Sequence, residues 1–435
     1  MSHGAPVEPN YDWEGFGFDT RQVHAGEQPN ADHGDRVAPI HVSNAFRFDS
    51  FQDTWDRFAG ETEGQLYSRH LNPTVEVAEQ RIASLEGGTG AVAFASGSAA
   101  IMATILALCG QGEHFVSTAS IYSGTIAGFE RTLGRLGISV SFVADWRDAD
   151  EWRAAIRPET RAIFTETIPN PKNDIVDIAV VAGIAESAEL PLIVDNTIAT
   201  PALIRPIEHG ADIIVHSSTK FLGGHGATMS GVAVDGGRFD WAAHADRYPQ
   251  LADAVTKWGA RRAFEQHVRF TQLYDFGATL SPFNAFLLQQ GMETLSLRME
   301  RHIENARDLA LWLDAQPAVE SVDYAGLPGS RDAELAERLY GGRSGSVFSM
   351  TVRGGLEGAR TFIDHLRVFS RMTNIGDTRS LAIHPGTTTH VSFSEERRAA
   401  LGIHPGLVRL SVGIESVDDL RADLASALSA VAAAH

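Results

Sequence analysis

The chain has 435 residues, 43% of them hydrophobic and 21% charged, which is enough for two or three globular domains with large cores. Its formal net charge of −19 argues against nucleic acid or an anionic membrane as a partner, since both select a basic face. The single cysteine, Cys109, cannot form an internal disulfide and points to a reducing compartment, the cytoplasm.

The N-terminus, MSHGAPVEPNYDWEGF, is polar and acidic and lacks the basic and apolar regions of a signal peptide. From Asn72 to Val234 short apolar runs alternate with amphipathic stretches. A helix is predicted from Pro73 to Leu85, stopped by Gly87-Gly88. Strands are predicted at Ala91–Ala95, His114–Val116, Ser139–Val143, Ala162–Thr165, Leu192–Asp195, Asp212–His216 and Val232–Val234. Helical patterns lie between them at Ala99–Cys109, Ser123–Leu136, Asp148–Ile156 and Ile178–Leu190. The uncharged stretch from Ala91 to Gly110 is broken by Ser96-Gly97-Ser98, so it reads as strand, turn and buried helix rather than a bilayer span. Strands separated by helices imply crossovers and a mostly parallel sheet covered on both faces, with ligands at the carboxyl ends of the strands.

The segment 236–276 mixes aromatics with charges and reads as helices and loops outside this rhythm. A long helix from about Met292 to Leu313 leads into a smaller α/β unit. Its strands are expected at Val347–Val352 and Leu407–Val412 with antiparallel pairing, and its helices at Leu356–Leu366 and Val417–Ala433.

In ADIIVHSSTKFLGGHG, Ala211 to Gly226, an apolar strand runs into hydroxyls and then Lys220, with glycines beyond. A lysine in apolar surroundings can have a lowered pKa and become a nucleophile. A lysine that binds a phosphorylated aldehyde needs an anion cradle, an acid for the ring nitrogen, an aromatic lid and a carboxylate clamp. Gly97 and Ser98, where a strand turns into a helix, fit the cradle, because a helix N-terminus offers free N–H groups. Ser217 and Thr219 add hydroxyls just before the lysine. Asp195, ending the run Leu192-Ile193-Val194, fits the acid, and Tyr122 fits the lid. Taken singly these are equally an ordinary helix cap, a turn residue and a packing tyrosine.

The motifs YSRHLNPT (Tyr67–Thr74), ASGSAA (Ala95–Ala100), VDNT (Val194–Thr197), HSSTKFLGGHG (His216–Gly226) and LVRLSVGIE (Leu407–Glu415) occur in order from VHAG at Val23 onward. In these the sequence resembles the Cys/Met-metabolism family of pyridoxal-phosphate enzymes, nearly end to end. The resemblance implies the aspartate-aminotransferase-like α/β fold (fold type I), with a mostly parallel central sheet, helices on both faces and a smaller C-terminal α/β domain. It implies an N-terminal arm over 1–72 that contacts a neighbouring subunit, a cofactor-binding domain over 73–290 with an insert near 236–276, and a small domain over 291–435. It further implies pyridoxal 5'-phosphate as cofactor and Lys220 as its Schiff-base lysine. Asp195 is implied at the ring nitrogen, Tyr122 stacked on the ring, and Gly97, Ser98, Ser217 and Thr219 at the phosphate. Tyr67 and Arg69 are expected at the neighbouring subunit's phosphate, Asn170 at the cofactor and substrate, and Arg409 at the substrate carboxylate. Ser380 and Arg379 are lesser candidates for that carboxylate, and Arg379 has Asp377 as a ready ion-pair partner. No metal is implied.

Three features resemble the O-acetylhomoserine sulfhydrylase group within the family. These are the Gly-Asp-x-Arg-Ser-Leu pattern inside NIGDTRSLAIHPGTTTH (Asn374–His390), the segment 236–276, and glycine at position 124. Ser98 and Gly386-Thr387 depart from the commoner family residues. The implied reaction joins O-acetylhomoserine and sulfide, with Lys220 moving protons and Tyr122 assisting, in a cytoplasmic dimer of dimers. O-succinylhomoserine sulfhydrylase, cystathionine γ-synthase and methionine γ-lyase stay open as alternatives, as does a non-catalytic binding protein on the same fold. The 17 histidines suggest a metal hydrolase only weakly, since no HExxH pair occurs.

Overall fold

A computed structural model describes residues 13, 15–27, 33–62 and 64–434. Most of the polar opening stretch, residues 1–12 and 14, lies outside the described residues. Among the described residues the strands are β1 (Gly90–Phe94), β2 (His114–Thr118), β3 (Ser139–Val143), β4 (Thr160–Glu166), β5 (Leu192–Asp195) and β6 (Ile213–His216). They continue with β7 (Gly231–Asp235), β8 (Val319–Asp323), β9 (Val347–Val352), β10 (Ser370–Arg371), β11 (Leu381–Ile383) and β12 (Leu407–Ser411). Strands β1 to β7 form one sheet in the order β1-β7-β6-β5-β4-β2-β3, and the last five form a second in the order β10-β11-β12-β9-β8.

By internal contacts the chain forms two compact units. The first comprises Met1–Ala107, Val215–Thr219 and Thr228–Thr294. In it, the helix Pro73–Glu86 starts where the Asn72 side chain accepts from the Thr74 N–H (3.0 Å) and Pro73 occupies the first turn. It ends at Gly87, whose φ of 80° is the left-handed conformation glycine adopts freely. Strands β1 and β7 pair antiparallel, Gly90 opposite Asp235 and Phe94 opposite Gly231. This pair is antiparallel, in a sheet expected to be mostly parallel. The 236–276 segment forms short helices, as expected, with a π-helical turn at Val268–Leu273. A buried ion cluster ties them to the Pro73–Glu86 helix: Arg269 donates to Glu79 (2.9 Å) and Glu265 (3.1 Å), and also to the carbonyls of Ala91 (2.7 Å) and His70 (3.1 Å).

The second unit comprises Leu108–Ile214, Lys220–Ala227 and Leu295–His435. Strands β2, β3, β4 and β5 pair in parallel, and the buried apolar runs of β2, β4 and β5 are those of a sheet covered on both faces. The predicted helix Ser123–Leu136 is α-helical only to Ala127 and continues as a π-helical turn over Gly128–Leu133. The long helix begins at Leu295 rather than Met292; a separate helix, Pro282–Met292, precedes it. In the second sheet β9 pairs antiparallel with β12 and β8, as expected. Its core gathers Leu309, Leu313, Phe348, Met350, Phe362, Val408, Leu410 and Leu424, all fully buried. Strand β8, with the pattern buried-exposed-exposed-partial-exposed, carries too little apolar periodicity to be read from sequence. Among the described residues no helix is long and apolar enough to cross a membrane.

Candidate active site

Two groups of predicted residues are assembled, one in each unit, and the chain itself passes from one to the other between Thr219 and Lys220.

The first group is built on the turn between β1 and the helix Gly97–Leu108. Ser96 caps that helix, its Oγ accepting from the Ala99 N–H at 3.2 Å. Gly97 packs so closely on the strand end after β6 that a Cβ there would lie 2.5 Å from Ser217 Cβ and 2.8 Å from its Oγ. Gly231 is as tightly fitted, since a Cβ would lie 2.1 Å from the Ser96 carbonyl oxygen. Only glycine permits these two backbone approaches. The result brings Gly97, at the helix N-terminus beside exposed Ser98, against Ser217. That is the donor set an anion needs. Thr219 acts instead as a brace. Its hydroxyl donates to the Ser230 carbonyl (3.0 Å) and accepts from the Ser230 N–H (2.9 Å), while its own N–H reaches the same carbonyl (3.1 Å). Ser218 also bonds Ser230, Oγ to Oγ at 2.9 Å. Ser230 carries no signal in the sequence, because nothing in SGVAVD marks it as the support of a turn eleven residues away.

Tyr67 and Arg69 belong to the same unit. Arg69 Cζ lies 5.5 Å from the centroid of the Tyr67 ring and 4.5 Å from that of Tyr274.

The second group surrounds Lys220. Its ammonium donates to Asn374 Oδ1 at 2.5 Å. Burial, and after it the charge of Arg409, brings its pKa down to about 8. Arg409, on β12, is 2% exposed. It donates from Nη2 to the carbonyls of Asn374 (2.9 Å) and Thr373 (3.1 Å), and from Nη1 to Asn170 Oδ1 (3.3 Å). Its Nε is buried with no hydrogen-bond partner. Among the described residues no carboxylate pairs with it, and burial lowers its pKa to about 10. A buried guanidinium without a counter-ion is costly, and a carboxylate ligand supplies what it lacks. Asn374 thus touches both cations. Its motif is visible in the sequence but its role is not, because adjacency to Lys220 is a tertiary fact spanning 154 residues.

Asp195 ends β5, 7% exposed, with Oδ1 accepting from the Thr197 N–H at 2.9 Å. Glu166 ends β4 directly across the ladder from it, and its place there cannot be read from the sequence. It is buried, its Oε1 accepts from the Tyr122 N–H at 2.8 Å, and its pKa is raised well above the ordinary carboxyl value by burial and then by the charge of Asp195. Tyr122 itself is 44% exposed at the start of the helix Ser123–Ala127, and its phenol lies within electrostatic reach of Arg409.

The two lesser candidates turn elsewhere. Ser380 is fully buried, its N–H and Oγ both donating to the Glu415 carboxylate (2.7 and 2.9 Å) while its Oγ accepts from the Gly413 N–H (2.9 Å). The Arg379 side chain is largely exposed and pairs with Asp377 at 3.2 Å.

Each group has features that fit pyridoxal phosphate: in the first, a backbone cradle too tight for any side chain but hydrogen; in the second, a half-buried lysine with a lowered pKa and a buried aspartate at a strand end. A model of the family described as "Cys/Met metabolism PLP-dependent enzyme" matches residues 19–429. The O-acetyl-L-homoserine sulfhydrylase of Corynebacterium glutamicum is 47% identical over 98% of this chain and 100% of its own. The O-succinylhomoserine sulfhydrylase of Pseudomonas aeruginosa is 42% identical over 97% of each chain. A solved structure from Campylobacter jejuni containing N'-pyridoxyl-lysine-5'-monophosphate superposes with a TM-score of 0.91 at 33% identity, covering 95% of this chain and 100% of that one.

Proposed function

Since the chain belongs to the Cys/Met metabolism PLP-dependent enzymes, we propose that it converts O-acetyl-L-homoserine and hydrosulfide into L-homocysteine and acetate. The observation that carries this reading is the pairing of a lysine at about pKa 8 with a buried Arg409, without a carboxylate partner among the described residues, through their common partner Asn374. It is the arrangement a small α-amino acid needs, a base beside a carboxylate clamp.

When bound, pyridoxal phosphate supplies an electron sink for negative charge at the substrate Cα. Gly97, Ser98 and Ser217 would hold its phosphate, with Thr219 fixing that turn through Ser230. Asp195 would hold a proton on its ring nitrogen, and Tyr122 would cover the ring. Arg409 takes the substrate carboxylate, with Asn170 setting the guanidinium plane. Lys220 Nζ takes the proton from Cα, serves Cβ as acetate leaves Cγ, and returns protons after hydrosulfide has added at Cγ. Tyr122 stands within reach of Arg409 and is the second candidate for proton handling at the leaving group.

The acetyl rather than succinyl ester follows from charge. Succinyl-homoserine brings a second carboxylate that requires its own cation. Arg379 is already paired with Asp377 and largely exposed, and Arg409 serves the α-carboxylate. We place the active unit as a dimer of dimers in the cytoplasm. Residues 1–72 form an arm carrying Tyr67 and Arg69 to the neighbouring phosphate, 73–290 the cofactor domain, and 291–435 the small domain. The test is direct: purified protein given pyridoxal phosphate, O-acetylhomoserine and sulfide should release homocysteine and acetate in equal amounts, and Lys220→Ala should release neither. Formation of 2-oxobutanoate in place of homocysteine would contradict the assignment.

A further inference from the structure

The 236–276 segment takes no part in the chemistry above, yet it delivers one side chain to a residue that does. Tyr274, in the short helix Tyr274–Phe276, sets its ring 4.5 Å from the Arg69 guanidinium carbon, and Tyr67 faces it at 5.5 Å. Arg69 Nε is buried and makes no hydrogen bond, and among the described residues the guanidinium has no carboxylate partner. The two buried carboxylates lining the same cavity, Glu79 and Glu265, are both taken by Arg269. The Arg69 carbonyl is fixed by the Thr279 hydroxyl at 2.7 Å, and the adjoining His70 carbonyl by Arg269 at 3.1 Å. The backbone is therefore anchored, while the contacts of the guanidinium among the described residues are with the Tyr67 and Tyr274 rings.

An aromatic face attracts a cation without neutralising it. A carboxylate in the same place would orient Arg69 equally well but would compete with any anion it has to meet. His70, whose ring meets the Tyr274 ring edge-on at 5.0 Å, stays uncharged at neutral pH, since burial and the neighbouring Arg269 and Arg69 bring its pKa to about 4. The surroundings thus orient Arg69 and leave its charge available to a ligand.

We propose that Tyr274 is a positioning residue that holds Arg69 ready for the cofactor phosphate of the neighbouring subunit. This rests on the reading of Arg69 given above, and it assigns the 236–276 segment the role of supporting cofactor retention rather than chemistry.

The experiment is a titration of the cofactor-stripped full-length protein with pyridoxal phosphate, followed by absorbance, for the wild type, Tyr274→Leu, Tyr274→Phe, Arg69→Ala and the Arg69→Ala/Tyr274→Leu double variant. Tyr274→Leu should raise the apparent Kd by roughly three- to thirtyfold, the range of a partly desolvated cation–π contact. Tyr274→Phe, which keeps the ring, should stay within about twofold of the wild type. The double variant should bind no more weakly than Arg69→Ala, because the ring acts only through the arginine. Should Tyr274→Leu not fold, Tyr274→Gln gives the same readout. If Arg69→Ala weakens binding while Tyr274→Leu does not, or if the two losses add in full, the positioning role is overturned. If Arg69→Ala binds as the wild type does, the reading of Arg69 fails and the inference with it.

Discussion

A lysine must be uncharged to attack an aldehyde, so the rate at which cofactor-free protein captures pyridoxal phosphate reports the Lys220 pKa. At the ordinary value of 10.5 about one lysine in three thousand is neutral at pH 7, whereas at about 8 roughly one in ten is, a gain on the order of 300-fold. Two causes produce the shift, burial first and the Arg409 charge second. In Arg409→Gln the second, smaller cause is removed and the first remains, so the pKa should rise only part of the way back and the capture rate at pH 7 should fall by well under the full gain of about 300-fold. Stopped-flow absorbance from about pH 6 to about pH 10, roughly two units either side of the wild-type inflection, measures this. The wild-type rate should climb with pH and level off above about 8, while the variant levels off later. A wild-type profile still rising roughly tenfold per unit above about pH 9, or an inflection unmoved in Arg409→Gln, would refute the electrostatic coupling of the two cations.

Two further outcomes are expected. Asp195→Ala should still take up cofactor through the phosphate cradle but lose on the order of a thousandfold in turnover, as for other preorganised electrostatic groups, and near-normal turnover would reduce Asp195 to the turn residue its bond to Thr197 already makes it. Mixing inactive Arg69→Ala and Lys220→Ala proteins should restore part of the activity, because one hybrid site then holds both native residues; no recovery after demonstrated subunit exchange would place Arg69 in its own subunit's site.

Much of this arrangement is legible in the sequence because it is local. Strands β3, β5 and β9 occupy the very runs their apolar residues mark, and β2, β4, β6 and β7 differ only at their ends. The cradle is legible because a small-residue turn between strand and helix leaves few alternatives at Gly97. What escapes is what depends on packing between distant segments. Asn374 opens a motif visible in the sequence, but nothing there marks it as the partner of Lys220, from which the fold sets it 2.5 Å away. Glu166 gains its meaning only from strand pairing, which brings it opposite Asp195, and from the turn that offers it the Tyr122 N–H. Thr219 illustrates the converse: the sequence places a hydroxyl beside the lysine, but the fold commits it to the Ser230 backbone. The π-helical turns at Gly128–Leu133 and Val268–Leu273 leave no trace in the apolar pattern, since one extra residue in a turn shifts the periodicity by less than the pattern resolves.

The central claim is the choice of substrates, and kcat/KM for O-acetyl- and O-succinyl-homoserine, each crossed with sulfide and with cysteine, tests it most directly. With sulfide, the acetyl ester should exceed the succinyl ester by roughly tenfold or more, about 1.4 kcal/mol, because no identified cation awaits the second carboxylate. Sulfide should also surpass cysteine, whose own charges have no identified partner. Highest efficiency for succinyl-homoserine with cysteine would make the protein a cystathionine γ-synthase and contradict the account.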